Sequence, residues 1–250
     1  MIVWDVETSF ATVATFSLHT EYTSHKNILS DWHMICGSWM ELGNKKPSAV
    51  SLLDDPKRFK KDIHDDYYVV WRLREALKDA DLLIHHNGDA FDIKKLNARL
   101  MYHGIKPLPQ IQTLDTLKEV RKVAAIISNR LDYLGTFFHV GNKIHTDGEL
   151  WLDVLRGDEK AIRKMVKYNK EDVSLLKRVY LKIRPYIKRH PMFPVRTAEY
   201  VCPVCDSLNV MKEGIKITRL GKRQRRHCKD CGSWSLDRDY IEKFKPAVIN

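Results

Sequence analysis

Two pairs of cysteines near the C-terminus constrain the fold of this chain more than any other feature of its sequence. They lie in the segments CPVC and CKDC, which are separated by 22 residues. Four thiolates satisfy the tetrahedral coordination of Zn²⁺, and each Cys-x-x-Cys segment presents two sulfurs to the same ion. Since all four positions are cysteine, no coordination position is left open for catalysis. The pattern therefore predicts one structural zinc ion, bound by Cys202, Cys205, Cys228 and Cys231.

The distribution of charge separates the cysteine-containing end from the rest of the chain. Of the 250 residues, the last 63 contain 14 Lys and Arg against 7 Asp and Glu, whereas the residues before them contain 29 against 25. Two prolines, Pro191 and Pro194, restrict the backbone near this change and predict a stiff linker. We therefore expect a first domain at 1–187, a linker at 188–198 and a small basic zinc ribbon at 199–250.

The segment between the two cysteine pairs is the most basic part of the chain. Six Lys and Arg occur from residue 216 to residue 226, with no acidic residue among them. On a hairpin such a run of cations suits phosphate groups, so it predicts contacts with nucleic acid. An alternative is that the ribbon docks onto another protein of a replication or repair complex. The expected nucleic-acid contacts are Lys216, Arg219, Lys222, Arg223, Arg225 and Arg226.

Hydrophobic periodicity predicts an α/β fold for the first domain. Residues 1–8 are typical of a buried strand, residues 12–18 alternate like its hairpin partner, and residues 32–42 continue the strand-rich opening. Strands and helices alternate after that, and a long helix is expected at about 158–187. This order indicates a mixed β-sheet flanked by helices.

The sequence shows no sign of membrane association. No apolar run reaches the roughly 18 residues that a membrane-spanning helix needs. The start MIVWDVETSF lacks both the basic residues and the long apolar core of a signal peptide. We therefore expect an intracellular protein without a membrane partner.

Acidic residues occur where the first strand is otherwise apolar. Asp5 and Glu7 are two residues apart, so both side chains project from the same face of the strand. Two carboxylates on one face repel each other unless solvent or a cation compensates their charge. Because their neighbours are Ile, Val and Trp, the strand is expected to be buried, and the pair suits a hard divalent cation.

Two later segments supply further polar residues. In HHNGDAFDIKK, Asp89 and Asp92 both lie near the start of a predicted helix, and spacing alone does not choose between them. In KYNKEDVSLL, Tyr168 and Asp172 are four residues apart and share one face of a helix. Taken alone, the second segment is an ordinary amphipathic helix.

Together these segments resemble the three sequence motifs of the DEDDy 3′–5′ exonucleases. The motifs are Asp5-Val-Glu7-Thr, then Asn87-x-x-x-Phe91-Asp92, and then Tyr168-x-x-x-Asp172. The pattern is most similar to the proofreading domain of family B DNA polymerases and to stand-alone phage or bacterial relatives. The resemblance covers residues 1–187, implies a ribonuclease H-like fold, and selects Asp92 rather than Asp89 because the acid follows Phe.

The resemblance also implies a mechanism and its cofactors. Two Mg²⁺ or Mn²⁺ ions would be bound by Asp5, Glu7, Asp92 and Asp172, and would activate a water and stabilise the leaving oxyanion. Tyr168 would orient the attacking water, while Asn87 and Phe91 would contact the nucleic acid. The substrate would be DNA with a free 3′ end, cleaved stepwise to nucleoside 5′-monophosphates in the cytoplasm of a bacterial or phage-infected cell.

Two other functions remain open at this point. The chain could be an exoribonuclease or a structure-selective nuclease, although Tyr rather than His in the third motif favours DNA. It could also be a nucleic-acid-binding adaptor with an inactive nuclease fold, although inactive relatives usually lose acidic residues and all four are present in this chain.

Overall fold

The main sheet has five strands in the order β5-β4-β1-β6-β7, with β1 in its centre. β1 (Ile2–Thr8) is antiparallel to β4 (Met34–Glu41) and parallel to β6 (Leu82–His85). β4 is antiparallel to β5 (Ser48–Ser51), and β6 is parallel to β7 (Gln112–Asp115). The sheet is therefore mixed, as predicted, and the carboxyl ends of β1, β6 and β7 meet at one edge.

The computed structural model describes residues 1–19, 22–143, 147–187, 190, 200–204 and 207–244, with the backbone only for Arg238. Outside the main sheet, the described strands are β2 (Thr12–Val13), β3 (Ile28–Ser30), β8 (Val210–Thr218), β9 (Gly221–Cys228) and β10 (Trp234–Lys243). The described α-helices are α1 (Pro56–Lys61), α2 (Tyr67–Leu77), α3 (Asp92–Tyr102), α4 (Thr116–Val123), α5 (Leu131–Phe137), α6 (Gly148–Leu155) and α7 (Glu159–Ile183).

Helices cover both faces of the main sheet. On one face Trp4 is fully buried in a cluster that includes Val70 and Leu73 of α2. On the other face Val3 packs in a cluster with Val173 and Leu176 of α7. Fully burying one such aliphatic side chain contributes about 1.5–3 kcal/mol. The two clusters hold β1 from both sides, and they fix the direction in which its polar side chains point.

The predicted hairpin between residues 1–8 and 12–18 is wrong. β2 contains only Thr12 and Val13, and it pairs with β3 in a separate two-stranded sheet. The apolar residues that alternate after β2 do not pack against a core: Phe16 and Leu18 are exposed. β4, from the predicted 32–42 segment, takes the place beside β1.

The C-terminal residues form a three-stranded antiparallel sheet in the order β10-β9-β8. Its knuckle residues Cys202 and Cys228 are buried in the same apolar cluster as Tyr180 and Ile183 of α7. Of the predicted linker at 188–198, only His190 is described, and its Nε2 lies 2.7 Å from the Tyr180 hydroxyl. The domain boundaries remain predictions, but the cysteine knuckle shares a core with the end of α7.

Candidate functional site

The alternation of β1 separates its polar from its apolar side chains. Trp4 and Val6 face one apolar cluster, whereas Asp5 and Glu7 project to the opposite face and are half-buried. They lie opposite Ser38 and Cys36 of β4, two residues with small side chains. The central strand thus brings two carboxylates into a site that water reaches only partly.

Asp92 reaches the same region from the neighbouring parallel strand. β6 ends at His85, a short loop follows, and α3 begins at Asp92. The Asp92 carboxylate is buried, and its Oδ1 accepts a hydrogen bond from the Val6 backbone N–H at 3.2 Å. This contact ties the start of α3 to β1, directly between Asp5 and Glu7 in sequence.

α7 supplies the remaining polar side chains as it crosses the sheet. The Asn169 side-chain amide donates a hydrogen bond to Asp5 Oδ2 at 2.6 Å. Asp172 is 2% exposed, and its Oδ1 is buried without a hydrogen-bond partner in the described structure. Tyr168 is one turn earlier, and Lys143 donates both to its hydroxyl oxygen, at 3.1 Å, and to Asp172 Oδ2, at 2.6 Å.

Three of the predicted residues form a compact group, which we call the carboxylate cluster. Asp5, Glu7 and Asp172 each offer an oxygen atom, and these atoms lie within 4.8 Å of one another. Asp92 is outside that limit, although its negative charge raises the pKa of Asp5. The structure therefore brings all four predicted acids into one region, at the carboxyl end of β1.

The pKa values in this region are displaced upward. Burial, followed by the charges of its acidic neighbours, raises the pKa of Asp5 well above its usual range. Burial and the charge of Asp172 raise the pKa of Glu7 to about 8, and burial raises that of Asp92 to about 7. Burial also raises the pKa of Asp172, despite the nearby ammonium of Lys143. Each acid is therefore unfavourably placed as an anion in the absence of a cation.

Lys143 and Asn169 were not among the residues predicted from the sequence. Lys143 lies in an irregular segment with no repeating pattern, so its place beside Asp172 depends only on tertiary structure. Among the described residues, Lys143 is the cation whose charge lowers the pKa of Asp5, Glu7 and Asp172 together. Asn169 immediately follows the predicted Tyr168 in the sequence. In the structure it is fully buried and its amide contacts Asp5.

The residues of the carboxylate cluster fit a hard divalent cation. All three ligands are carboxylates, which Mg²⁺ and Mn²⁺ prefer, and a buried Asp172 oxygen has no other described partner. The raised pKa values indicate that one ammonium does not balance the accumulated negative charge. A buried, partnerless carboxylate oxygen inside a group of repelling acids is what a cation site requires.

A second group at the same sheet edge, which we call the histidine cluster, consists of His85, Asp89 and Asp115. The backbone N–H of Gly88 donates to His85 Nδ1 at 3.1 Å, so the neutral ring carries its proton on Nε2 and has no lone pair left for a metal. Asp89 accepts a hydrogen bond from Lys118 Nζ at 2.6 Å. Asp89, the rival of Asp92, thus belongs to a different group.

Asp115 and the loop after β6 complete the histidine cluster. Asp115 Oδ1 accepts hydrogen bonds from the N–H groups of Asn87 and Leu117, at 2.9 and 3.0 Å. Asn87 has a left-handed backbone conformation, with φ at 65°, and its side chain is exposed. Phe91 is also exposed, and the Lys95 ammonium lies 5.4 Å from the centre of its ring. Both predicted nucleic-acid contacts are therefore on the surface next to Asp92.

The cysteines form a separate cluster in the C-terminal sheet. The sulfur atoms of Cys202, Cys228 and Cys231 lie within 4.8 Å of one another, and the Val204 backbone N–H donates to Cys202 Sγ at 3.4 Å. Three converging thiols and an N–H···S bond fit a thiolate-bound Zn²⁺. Cys205, the fourth predicted ligand, lies outside the described residues.

The predicted cations of the ribbon are not equally available. Arg226 is 4% exposed and forms an ion pair with Asp237, so its guanidinium is withdrawn from solvent and we exclude it from the proposed contacts. Arg223 donates to the Asp237 carbonyl oxygen at 2.8 Å, and Lys222 pairs with Glu242 at 2.7 Å. Arg225 lies over the Trp234 ring, at 4.1 Å from its centre. The exposed members of the set are Lys216 and Arg219.

Comparison with known proteins identifies the family. The sequence profile of the RNase H superfamily matches residues 48–184, which is more than half of the chain. The chain belongs to the RNase H superfamily. The matched range contains Asp92, Tyr168 and Asp172 and begins after Asp5 and Glu7. Proteins of the RNase H superfamily are typically metal-dependent nucleases, and the three carboxylates of the carboxylate cluster are ligands of the kind that such a metal requires.

Among solved structures, the chain is similar to the family B DNA polymerase from the hyperthermophilic archaeon Pyrobaculum calidifontis. The two have 15% sequence identity and a TM-score of 0.53, and the similarity covers 74% of this chain and 24% of the polymerase. At this identity the likeness supports the RNase H-like fold alone. No curated protein sequence matches the chain. No helix in the part of the chain that the structure describes is long and apolar enough to cross a membrane.

Proposed function

We propose that the chain is a metal-dependent 3′–5′ exonuclease of the DEDDy type that hydrolyses DNA to nucleoside 5′-monophosphates. The observation that carries this proposal is the carboxylate cluster, with Tyr168 one helical turn before Asp172 and Asp92 beside Asp5. A surface acid cluster would have ordinary pKa values, whereas these acids have raised ones. The similarity of the fold to a family B DNA polymerase is compatible with DNA as the substrate.

The chain's own residues have distinct roles in this proposal. Asp5, Glu7, Asp92 and Asp172 would hold two Mg²⁺ or Mn²⁺ ions, which when bound supply an activated water and stabilise a leaving oxyanion. Tyr168 keeps its proton at neutral pH, since burial raises its pKa to about 12. It therefore donates or accepts a hydrogen bond that orients water, and it does not act as the base. The exposed ring of Phe91 offers a stacking surface for a base near the cleaved end.

Lys143 fits the proposal as a residue that positions two others. Its ammonium joins the Tyr168 hydroxyl to Asp172 Oδ2, so the tyrosine and the carboxylate keep a fixed relative orientation. Burial lowers the pKa of this ammonium, but the charge and the hydrogen bond of Asp172, together with those of Tyr168, outweigh burial and raise the pKa, so Lys143 remains charged at neutral pH. Lys143 therefore contributes fixed positive charge beside the carboxylates rather than a proton.

The C-terminal ribbon, as proposed, binds one Zn²⁺ and assists nucleic-acid binding. Cys202, Cys228 and Cys231 supply three converging sulfurs, and Cys205 is proposed as the fourth ligand. Metal analysis should find about one zinc per chain, and Cys228→Ser should lower that content. Retention of full zinc content by this variant would contradict the proposed ligand set. Lys216 and Arg219 are the exposed cations that we assign to phosphate contacts.

The function is tested by incubating the protein with 5′-labelled single-stranded DNA, duplex DNA and RNA, in Mg²⁺ or Mn²⁺. We expect a ladder of shortened DNA products, released from the 3′ end, that Asp5→Asn does not form. Asp153→Asn is the matched control, because Asp153 is a partly exposed acid on α6 and takes no part in the cluster. A ladder formed only with RNA would make the chain an exoribonuclease, and intact substrates in every lane would contradict a nuclease.

A further inference from the structure

A basic groove lies between α7 and the turn that joins β4 to β5. Its volume is about 610 Å³, and we call it the α7 groove. Three of its cations come from the helix and two from the turn, and one carboxylate stands at its rim. The charged side chains that line it are Lys45, Lys46, Lys170, Lys177, Arg178 and Glu171.

The cations of the α7 groove are not neutralised by the protein. Among the described residues, none of the five lies within ion-pair distance of a carboxylate. Some cations elsewhere on the surface do have such partners, for example Lys118 with Asp89 and Lys122 with Glu119. Unbalanced positive charge in a concave surface attracts anions, because the low-dielectric walls focus its field.

Two of the cations are held in position by the backbone. Lys177 Nζ donates to the Asn44 carbonyl oxygen at 2.7 Å. Arg178 Nε donates to the Val140 carbonyl oxygen at 2.6 Å, which leaves its other N–H groups for a ligand. A carbonyl oxygen orients a cation without cancelling its charge. The groove is therefore organised before any anion binds.

The groove is separate from the carboxylate cluster. Lys170 is two residues from both Tyr168 and Asp172, and residues at that spacing lie on different faces of a helix. The two sites are therefore on different sides of α7, about 10 Å apart across the helix. From Lys170 to Arg178 the groove follows the helix for about 12 Å, which matches three to four nucleotides at roughly 3.4 Å each.

We propose that the α7 groove binds the sugar-phosphate backbone of the nucleic-acid substrate, upstream of the end that is cleaved. This inference rests on the proposed function, because it assumes that one nucleic-acid strand has its 3′ end at the carboxylate cluster and its upstream part in the α7 groove. A linear series of cations along a helix suits a repeating phosphate backbone better than a single small anion. The groove then sets affinity for long strands, whereas the carboxylate cluster sets the rate of cleavage.

The test is the triple variant Lys45→Gln, Lys46→Gln and Lys170→Gln, which leaves the two backbone-bonded cations intact. Binding is measured by fluorescence anisotropy in an Asp5→Asn background, where the strand stays uncut, with single strands of about 20 and about 4 nucleotides. We expect affinity for the long strand to fall about 10- to 30-fold, the salt dependence to weaken by about two counterions, and affinity for the short strand to change less than about 2-fold.

The matched control is Lys57→Gln, Lys60→Gln and Lys61→Gln on α1, which removes the same charge from an exposed surface elsewhere. An equal loss in the control would show a general effect of net charge and would overturn the proposal. An unchanged affinity of the groove variant for the long strand would overturn it as well. In the active protein, the groove variant should raise KM for long strands and leave kcat unchanged. If no substrate is cleaved, the proposed function fails, but the anisotropy experiment still decides the groove.

Discussion

The carboxylate cluster and the histidine cluster lie at the same edge of the main sheet, and both bring three potential metal ligands within 4.8 Å of one another. Each cluster contains one buried carboxylate oxygen without a hydrogen-bond partner among the described residues, Asp115 Oδ2 and Asp172 Oδ1. The clusters differ in how their charges are balanced. In the histidine cluster, Lys118 pairs with Asp89, and two backbone N–H groups donate to the other oxygen of Asp115. In the carboxylate cluster, Asp5, Glu7 and Asp172 share the ammonium of Lys143 as their cation among the described residues.

The difference is visible in the pKa values. Burial opposes ionisation of Asp89, but the hydrogen bond from Lys118, the other nearby charges and the hydrogen bond from Thr113 together outweigh burial and lower the pKa. Burial and like charges instead raise the pKa of Asp5 and of Glu7. Proximity of ligand-type residues is therefore a weak indication of a metal site, and uncompensated charge among them is the more informative observation.

The sharpest contrast comes from removing one acid from each cluster. Asp172→Asn removes a proposed metal ligand, and a loss of about 4 kcal/mol in transition-state stabilisation would lower the cleavage rate about 1,000-fold. The folded protein should not be destabilised without metal, since a repelling buried charge is removed. Cleavage rate and thermal unfolding are measured together. A variant that cleaves within 10-fold of the parent would remove Asp172 from the proposed ligand set.

Stability should depend on pH and on divalent cations because of the same uncompensated charge. The folded pKa values of Glu7 and Asp92, about 8 and about 7, exceed the unfolded values near 4. The folded state then binds more protons, so the free energy of unfolding of the metal-free protein falls as pH rises from about 4.5 to about 8.

Divalent cations should counteract this loss, because they bind the deprotonated carboxylates. Millimolar Mg²⁺ or Mn²⁺ is therefore expected to raise Tm more at pH 8 than at pH 6. At a cation concentration 100 times Kd, the total gain in the free energy of unfolding is about 2.7 kcal/mol. In Asp172→Asn the increase should shrink. An increase in Tm that is equal at both pH values would contradict carboxylate ligation. The histidine cluster is expected to contribute nothing to the increase.

A smaller effect is expected from the residue beside the carboxylate cluster. Tyr168→Phe removes the hydroxyl that receives the Lys143 hydrogen bond, and should lower kcat about 10- to 100-fold with metal affinity unchanged. Metal affinity is measured by calorimetry in the same samples. Weaker metal binding that accounts for the whole loss of rate would assign Tyr168 to the ligand set instead of to water orientation.

The smallest effect on cleavage is expected in the histidine cluster. Asp115→Ala leaves the N–H groups of Asn87 and Leu117 without their acceptor, which should lower the free energy of unfolding by about 1–3 kcal/mol. Cleavage by the folded variant should change only a few-fold, and metal affinity should stay the same. Asp115→Asn keeps an acceptor oxygen and should recover most of the stability. Loss of metal binding in either variant would show that the two clusters are not distinct.

The parts of the fold that were predictable depend on local pattern. β1 and α7 have strong apolar periodicity, and both occur close to the expected residues. Residues 12–18 have the same alternation, but Phe16 and Leu18 face solvent, because β4 already occupies the place beside β1. Alternation predicts that a strand has two different faces; it contains no information about which neighbour covers them.

The candidate site shows the same limit. Asp5, Glu7 and Asp172 were predicted because their segments together resemble the motifs of the DEDDy exonucleases, and the structure brings the three carboxylates together. Lys143 has no such pattern and meets Asp172 only through the tertiary fold. The burial of Arg226 under its ion pair with Asp237 was equally invisible, since a basic run gives no indication of which cation a nearby acid will bind.

The packing of the cysteine knuckle on the end of α7 has a consequence for how this chain can be divided. Tyr180, Ile183 and Ile187 share one apolar cluster with Cys202 and Cys228. A chain cut after residue 187 would retain every acid of the proposed site but would expose this apolar surface to water, at a cost of about 25 cal/mol per Å². The ribbon is therefore not an interchangeable attachment. Recombination that exchanged it for an unrelated module would have to replace part of the apolar cluster that the end of α7 shares with it, so the two parts are expected to be inherited together.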